Sequence, residues 1–449
     1  QEPTATPAAT VAPTPSPTPS PTASPSPTPQ PTDTSAPTAT PTAAPTQEEL
    51  RERLIEIGRR VAEVRGLPPV EDPNVRLVSQ EEVSAVIQEE LASEDMAARL
   101  GVGQTVLKLL GLIPEDADLV QMQERLLSGT VVGLYDPDSG ELMVLAEDAA
   151  GESGGLTARA EFVYAHEYIH LLQDEHLGLD EKQEALEDAG NDEQAAFTAL
   201  VEGDASLGQG IYGFQEMDLG SLSPAELEEL VQPTTEQREV LETTPEFLIQ
   251  SQQFPYTNGA TFASQLWQEG GMEAINDAWE DPPATTEQVL HIDKYRAQEE
   301  PQDVSLPPIA PVLGDGWSVG EEEVLGEFFL RAWLQSIGAS PPEADRAAAG
   351  WGGDALRLLE GPNGAVAMAV LLAWDDPGTD AGEFTDLLSG LLEDSADFEG
   401  AGSVDGAGMN WRGPAGYLAL RSADSGEVAI AVAPDAEGAS DIAAAILED

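Results

Sequence analysis

The chain has 449 residues, enough for more than one domain with a sizeable core. It carries 83 acidic residues against 19 basic ones, a formal net charge of -64, and a field of that sign repels nucleic acid and anionic membrane surfaces. The absence of cysteine excludes disulfides, thiolate catalysis and cysteine-ligated metal centres, so any metal must be held by histidines and carboxylates.

The sequence predicts an exported protein. No run of about 18 apolar residues is present, so we expect no transmembrane segment. The chain opens at Gln1 without an initiator Met, and we expect that a leader has been removed. The strongly acidic composition is typical of a very soluble chain, so we predict a secreted or extracellular location.

Residues 1–46 consist almost entirely of Pro, Thr, Ser and Ala. Such a segment cannot bury a core and samples extended, polyproline-like conformations. It predicts a disordered stalk that could tether the folded part to a surface. The alternative is a dispensable tail.

Folded sequence is predicted to begin at Gln47. Apolar residues at helical spacing predict a helix that the segment 66–68, Gly-Leu-Pro, ends. A short strand and a second helix follow, and the helix starts near Ser79 with Glu82 three residues on, as in a capping box. More helix is expected to about residue 128.

A hairpin is predicted next, because two apolar runs, 130–135 and 142–146, flank the turn segment 136–140. The acidic turn could be interpreted as a calcium loop. It lacks the ligand spacing of an EF-hand, which argues against calcium.

Helices are expected at 157–177, between Thr157 and Gly178, and at about 190–208, and to continue to about residue 297. A Pro-rich stretch at 300–312 marks a second boundary, so the predicted folded domains are 47–300 and 301–449. In the second we expect a helix at 321–337, paired strands in "ALRLLEGPNGAVAMAVLLAW", a helix at 380–394, strands within 409–434 and a final helix. The predicted fold class is α+β.

Three of the four histidines lie between residues 160 and 180, and "HEYIH" matches the H-E-x-x-H motif. On a helix, His166 and His170 are one turn apart on one face, so both imidazoles can reach one ion, with Glu167 beside its open position. Bound zinc lowers the pKa of water to about 7 and polarises a carbonyl, while the glutamate accepts the proton of the water. The two histidines could instead be core residues, but a buried helix must supply partners for such polar groups.

A third protein ligand has two candidates. His176 lies six residues after His170, the metzincin spacing, but Gln173 stands where that motif has its glycine. A helix running to Leu177 would point His176 away from the other two histidines. Glu202 in "ALVEGDA" lies on a later helix and would complete a His₂Glu set, with Asp204 placed to orient a ligand imidazole.

The segments "HEYIHLLQDEH" and "ALVEGDA" resemble those of the gluzincin metallopeptidases. The chain is more closely similar to a group of exported prokaryotic proteins that share a "YDP…G…L.V" hairpin, the H-E-x-x-H helix with "LQD", a "VEGDA" helix and a "TEQVLH…KY" segment. Here these segments are "LYDPDSGELMV", "HEYIHLLQD", "LVEGDA" and "TTEQVLHIDKY"; the similarity spans about residues 47–300, and "GWGGD" at 350–354 also matches.

The resemblance implies a mainly helical, zincin-like catalytic domain with a small antiparallel sheet, followed by a smaller α+β accessory domain. It implies a Zn²⁺ ion held by His166, His170 and Glu202, and Glu167 as the general base. It further implies that strand 142–146 is the edge along which an extended peptide lies. His291, or alternatively Tyr295, would stabilise the oxyanion as a catalytic residue.

Two functions from different classes are therefore considered. The first is a secreted or surface-tethered zinc peptidase acting on peptide or protein substrates. The second is an extracellular binding or scaffold protein with a structural or inactive zinc site. The intact Glu167 favours the first, because a structural site does not need an acid beside the open position.

Overall fold

The computed structural model describes residues 47–131, 133–137, 139–145, 156–400, 402 and 408–448. The predicted stalk, residues 1–46, lies outside them. Over the described residues the fold class is α+β, as predicted. None of the helices described in these ranges is long and apolar enough to cross a membrane.

The N-terminal part, residues 47–300, is mainly helical. Its helices are α1 Gln47–Arg65, α2 Gln80–Leu91, α3 Glu94–Leu109, α4 Leu119–Thr130, α5 Ala158–Leu177, α6 Leu179–Ala185, α7 Asn191–Glu216, α8 Pro224–Val231, α9 Thr235–Thr243, α10 Glu246–Gly270, α11 Met272–Glu280, α12 Thr286–Leu290 and α13 Ile292–Ala297. Its strands are β1 Asn74–Val78, β2 Gly133–Asp136 and β3 Glu141–Leu145.

Local signals place several helix ends where the sequence predicted them, although the helix predicted at about 190–208 continues to Glu216. Helix α1 ends before Gly66, whose φ of 76° is in the left-handed region that favours glycine. The Ser79 hydroxyl accepts the N–H of Glu82 and the Glu82 carboxylate accepts the N–H of Ser79, which confirms the capping box. Helix α5 begins after Thr157, whose hydroxyl oxygen accepts the N–H of Ala160, and ends at Gly178 with φ 71°.

The predicted hairpin is confirmed, since β2 pairs antiparallel with β3, Gly133 opposite Val144. Strand β1 adds to the other side of β3 in parallel, so the strand order is β1-β3-β2. The expectation that strand 142–146 is a free edge is therefore wrong. Strand β3 is central, its backbone groups are paired on both sides, and the strand at the edge beside α5 is β2.

The C-terminal part, from residue 301, is built on a seven-stranded antiparallel sheet of order β4-β5-β6-β10-β9-β8-β7. The strands are β4 Ser318–Glu323, β5 Trp351–Glu360, β6 Val366–Trp374, β7 Glu399–Gly400, β8 Met409–Gly413, β9 Gly416–Ser422 and β10 Val428–Ala433. The helices are α14 Gly326–Ser336, α15 Pro341–Ala348, α16 Asp380–Asp394 and α17 Ala436–Ile446.

Most predicted elements of this part are confirmed, including the paired strands β5 and β6 and the helix at 380–394. The helix predicted at 321–337 starts later, at Gly326, because Glu321–Glu323 complete strand β4. The sheet is covered on both faces. Along β10, Val428 and Ile430 join the core on the α14–α16 side, whereas Ala429 and Ala431 join the core under α17.

One buried cluster extends across residue 300. It joins Val106 of α3, Leu110 directly after α3 and Phe247 of α10 to Trp333 of α14 and to Phe398. The Phe247 ring also meets the ring of Phe329 edge to face, at 4.8 Å between centroids. The two parts thus share apolar packing, and the assignment of 301–449 as a separate domain stays a prediction.

Candidate metal centre

Helix α5 carries the H-E-x-x-H motif into the interior. His166, Glu167 and His170 each keep less than a tenth of their surface exposed, and Ile169 and Tyr168 beside them are fully buried. An apolar helix with buried polar side chains requires partners for them, since an unpaired buried polar group is costly.

The partner of the two histidines is Glu202 on α7. Its Oε2 lies 3.0 Å from Nε2 of His166 and 3.5 Å from Nε2 of His170, and the two Nε2 atoms are 3.1 Å apart. The three ligand atoms lie within 4.8 Å of one another. Among the described residues, His166, His170 and Glu202 are the group of His, Asp or Glu side chains that is spaced closely enough to hold a metal ion.

Helices α7 and α10 cross at very short distance directly next to Glu202. A Cβ on Gly203 would lie 2.2 Å from the carbonyl oxygen of Gly259, and a Cβ on Gly259 would lie 2.1 Å from the oxygen of Ala199. Only glycine permits backbones to approach so closely. The glycine after Glu202 in "VEGDA" is thus needed for the packing of α10 over the cluster.

That crossing brings in Tyr256 of α10, a residue that the sequence analysis missed. Its ring stacks on the His166 imidazole, with centroids 6.0 Å apart and planes at 29°. Tyr256 is 45% exposed, so it is mainly the charge of Glu202 that raises the pKa of its phenol well above the usual value and keeps the phenol a donor. No fixed spacing links Tyr256 to the motif, and Gly259 one turn later was the available signal.

His176, the other candidate ligand, lies apart. It is exposed, and its Nε2 is 2.8 Å from the carbonyl oxygen of Pro68. Helix α5 continues unbroken to Leu177, which carries His176 round to a different face. The structure brings Glu202, and not His176, to the two histidines.

Glu167 lies beside the cluster and next to β2. A Cβ on Gly133 would lie 3.2 Å from its Oε1, so the backbone of β2 packs directly against the carboxylate. Burial raises the pKa of Glu167, although the charges of His166 and His170 oppose that shift. A carboxylate with a raised pKa is suited to general-base work near neutral pH.

The donor set fits zinc, which binds imidazole nitrogen and carboxylate oxygen in three-residue protein sites. Burial lowers the pKa of His170, but the Glu202 carboxylate outweighs burial and brings the value to about 9. Burial would raise the pKa of Glu202, and the histidines instead hold it well below its usual range. The group therefore attracts positive charge to the point where the three ligand atoms converge.

The predicted orienting residue Asp204 reaches the cluster indirectly. Gln173 lies between them: its Oε1 is 2.8 Å from Nδ1 of His170, and its Nε2 donates to Asp204 Oδ2 at 3.0 Å. Asp204 is fully buried against Arg65 of α1.

His291 and Tyr295 have other partners. Nε2 of His291 is 3.0 Å from the buried carboxylate of Glu327, a hydrogen bond that raises the pKa of His291. The Tyr295 hydroxyl donates to the carbonyl of Asp281. Neither of these hydrogen bonds reaches the His166 cluster, so the oxyanion role of His291 or Tyr295 stays a prediction.

The segments "TTEQVLHIDKY" and "GWGGD" lie where the two parts of the chain meet. Thr286 accepts the N–H of Phe328, and Lys294 pairs with Asp375. Asp354, the last residue of "GWGGD", accepts the N–H of Leu325 and that of Gly326 at the start of α14. These contacts account for the two segments structurally.

Comparison with known proteins reaches only the C-terminal part. A family model described as a domain of unknown function, DUF8575, matches residues 316–443, from just before β4 into α17. No curated protein matches the chain, and no solved structure does. The cluster of His166, His170 and Glu202 lies outside the matched segment, so its chemistry must be argued from its own geometry.

Proposed function

We propose that this chain is a zinc-dependent peptidase. The observation that carries the proposal is the convergence of His166, His170 and Glu202 in a buried group, with Glu167 at its side. A structural metal site is commonly closed by four protein ligands, whereas this one has three and an adjacent carboxylate. That combination is typical of metal-assisted hydrolysis.

His166, His170 and Glu202 would hold the ion. Zinc, when bound, supplies a Lewis acid that activates water and polarises the scissile carbonyl. Glu167 would accept the proton of the attacking water and later deliver it to the leaving amine. Its burial against β2 holds the carboxylate in place for both transfers.

Two further elements support a peptide substrate. Strand β2 is an edge strand beside Glu167, so an extended peptide could pair with it by β-augmentation. Tyr256 reaches the cluster from the α10 side and offers an O–H donor for the charge that develops on the carbonyl oxygen. Tyr256 therefore replaces His291 as our first candidate for this role. We propose a secreted or surface-held location for the enzyme.

The test combines metal content with hydrolysis. The wild type should retain zinc after dialysis and cleave casein, and the cleavage should stop when a chelator removes the metal. Glu167→Gln should keep the zinc and lose turnover, because the amide preserves the shape but cannot accept a proton. Zinc retention without cleavage by the wild type would instead support a binding or scaffold protein. Near wild-type turnover by Glu167→Gln would refute the general-base assignment.

A further inference from the structure

A fully buried polar chain runs from helix α1 to the metal centre. Arg65, Gln173 and Asp204 have no exposed surface, and Trp279 is 1% exposed. Asp204 Oδ2 accepts hydrogen bonds from Arg65 Nη2, Gln173 Nε2 and Trp279 Nε1, each at 3.0 Å. Arg65 Nε lies 2.7 Å from the other carboxylate oxygen, Oδ1. One carboxylate thus ties α1, α5 and α11 to α7.

These contacts decide which way the Gln173 amide points. Its Nε2 donates both to Asp204 Oδ2 and to the carbonyl oxygen of Val201, at 3.0 Å each. Both partners are acceptors, since one is a backbone carbonyl oxygen and the other is a carboxylate oxygen of the Asp204–Arg65 ion pair. A flipped amide would set its oxygen against two acceptors and leave both without a donor, which is costly in a dry interior.

The fixed amide then decides where His170 carries its proton. Gln173 Oε1 lies 2.8 Å from Nδ1 of His170 and can only accept, so Nδ1 must be the donor. The lone pair of the neutral ring is then on Nε2, which lies 3.1 Å from Nε2 of His166 and faces Glu202. This is the tautomer that a metal ligand requires.

We infer that Gln173 is a positioning residue of the metal centre: Asp204, paired with Arg65, sets the orientation of the Gln173 amide, and the amide sets the tautomer and the ring angle of His170. The inference rests on the proposed metal site. It makes zinc affinity depend on Arg65 of α1, which lies far in the sequence from the three ligands. It also assigns Gln173 a role that its place in "HEYIHLLQD" does not reveal.

The test compares two glutamine variants on the same pair of helices. Gln173→Met removes the acceptor for His170 while keeping the side-chain length. Gln209→Met is the control, because Gln209 donates to the carbonyl of Phe162 at 2.9 Å and so also links α7 to α5, outside the polar chain. Zinc affinity is measured by chelator competition. The Nδ1–H resonance of His170 is followed by NMR in the zinc-loaded, histidine-labelled protein, where four histidines give few signals.

Gln173→Met should bind zinc about 10- to 100-fold more weakly than the wild type. Its hydrogen-bonded Nδ1–H resonance should be lost, while Gln209→Met should match the wild type in both measurements. Asp204→Asn should weaken zinc binding as well. Because that variant leaves Arg65 buried without a counterion and risks unfolding, the decision rests on Gln173→Met.

Equal zinc affinity in the two glutamine variants would overturn the inference, even if the chain proves to be a peptidase. A wild type that binds zinc and loses affinity through Gln173→Met, yet cleaves no protein, would refute the peptidase and leave the inference standing. A chain that binds no zinc would refute both.

Discussion

Replacing Gly203 by Ala tests whether the close crossing of α7 and α10 matters. The added Cβ would lie 2.2 Å from the oxygen and 2.3 Å from the carbonyl carbon of Gly259, both of them backbone atoms that no rotamer change can move. Since non-bonded heavy atoms need about 3.5 Å, the helices must separate by roughly 1 Å. Overpacking of this kind costs about 1–3 kcal/mol of unfolding free energy.

The same separation should disturb the candidate active site. Tyr256 lies one turn before Gly259, and Glu202 directly precedes Gly203, so a shift between the helices displaces the Tyr256 ring from the His166 imidazole. A misplacement of about 1 Å can reduce a rate by roughly 100-fold. Zinc content should be kept, because the three ligands lie on α5 and α7 and not on α10.

Gly210→Ala on the same helix is the matched control, since nothing lies within 4 Å of its added Cβ. Helix propensity alone should stabilise that variant by up to about 1 kcal/mol. Urea denaturation, zinc content and casein turnover are measured for both variants. If Gly203→Ala is as stable and as active as Gly210→Ala, the close approach has no role in holding the site.

Three further predictions concern single side chains. Glu202→Ala should lose zinc and activity, while His176→Ala retains both; chelator competition measures this, and the reverse order would favour a site with three histidines. Tyr256→Phe should keep zinc and the stacked ring but lower kcat by about 100- to 1000-fold, and a loss of that size in Tyr295→Phe instead would favour the earlier candidate. Burial raises the pKa of Asp192 from 3.8 to about 8. At a pH between these two values, Asp192 is therefore protonated in the folded chain and ionised in the unfolded chain. The wild type should therefore lose stability relative to Asp192→Asn as the pH rises from about 4 to 8, and urea titrations at both pH values showing a constant difference would contradict this.

Features that depend on neighbouring residues were predictable from the sequence. The caps at Ser79 and Thr157, the glycines that end α1 and α5, and the spacing of His166 and His170 all act within one or two turns. The start of α14 was predicted too early, because "GEEEVLG" has no local signal that separates an acidic edge strand from a helix.

Features that depend on distant segments were not predictable. The parallel pairing of β1 with β3 joins residues separated by three helices, and it decides that β2 and not β3 is at the edge. Tyr256 lies far in the sequence from His166, and Arg65 lies far from Asp204. Only the packing of α10 and α1 against α7 shows the roles of Tyr256 and Arg65. Glu202 could be proposed because a carboxylate from another helix can complete a site that has two histidines on one helix.

The apolar cluster that crosses residue 300 has a consequence for folding cooperativity. Val106, Leu110 and Phe247 supply part of the surface on which Trp333 and Phe398 are buried, so neither part keeps its packing when the other unfolds. Heating should therefore give one calorimetric transition for residues 47–448. A recombinant fragment cut at the bounds of the matched family segment, 316–443, would lose the cover that Val106, Leu110 and Phe247 give to Trp333 and Phe398, and would be prone to self-association.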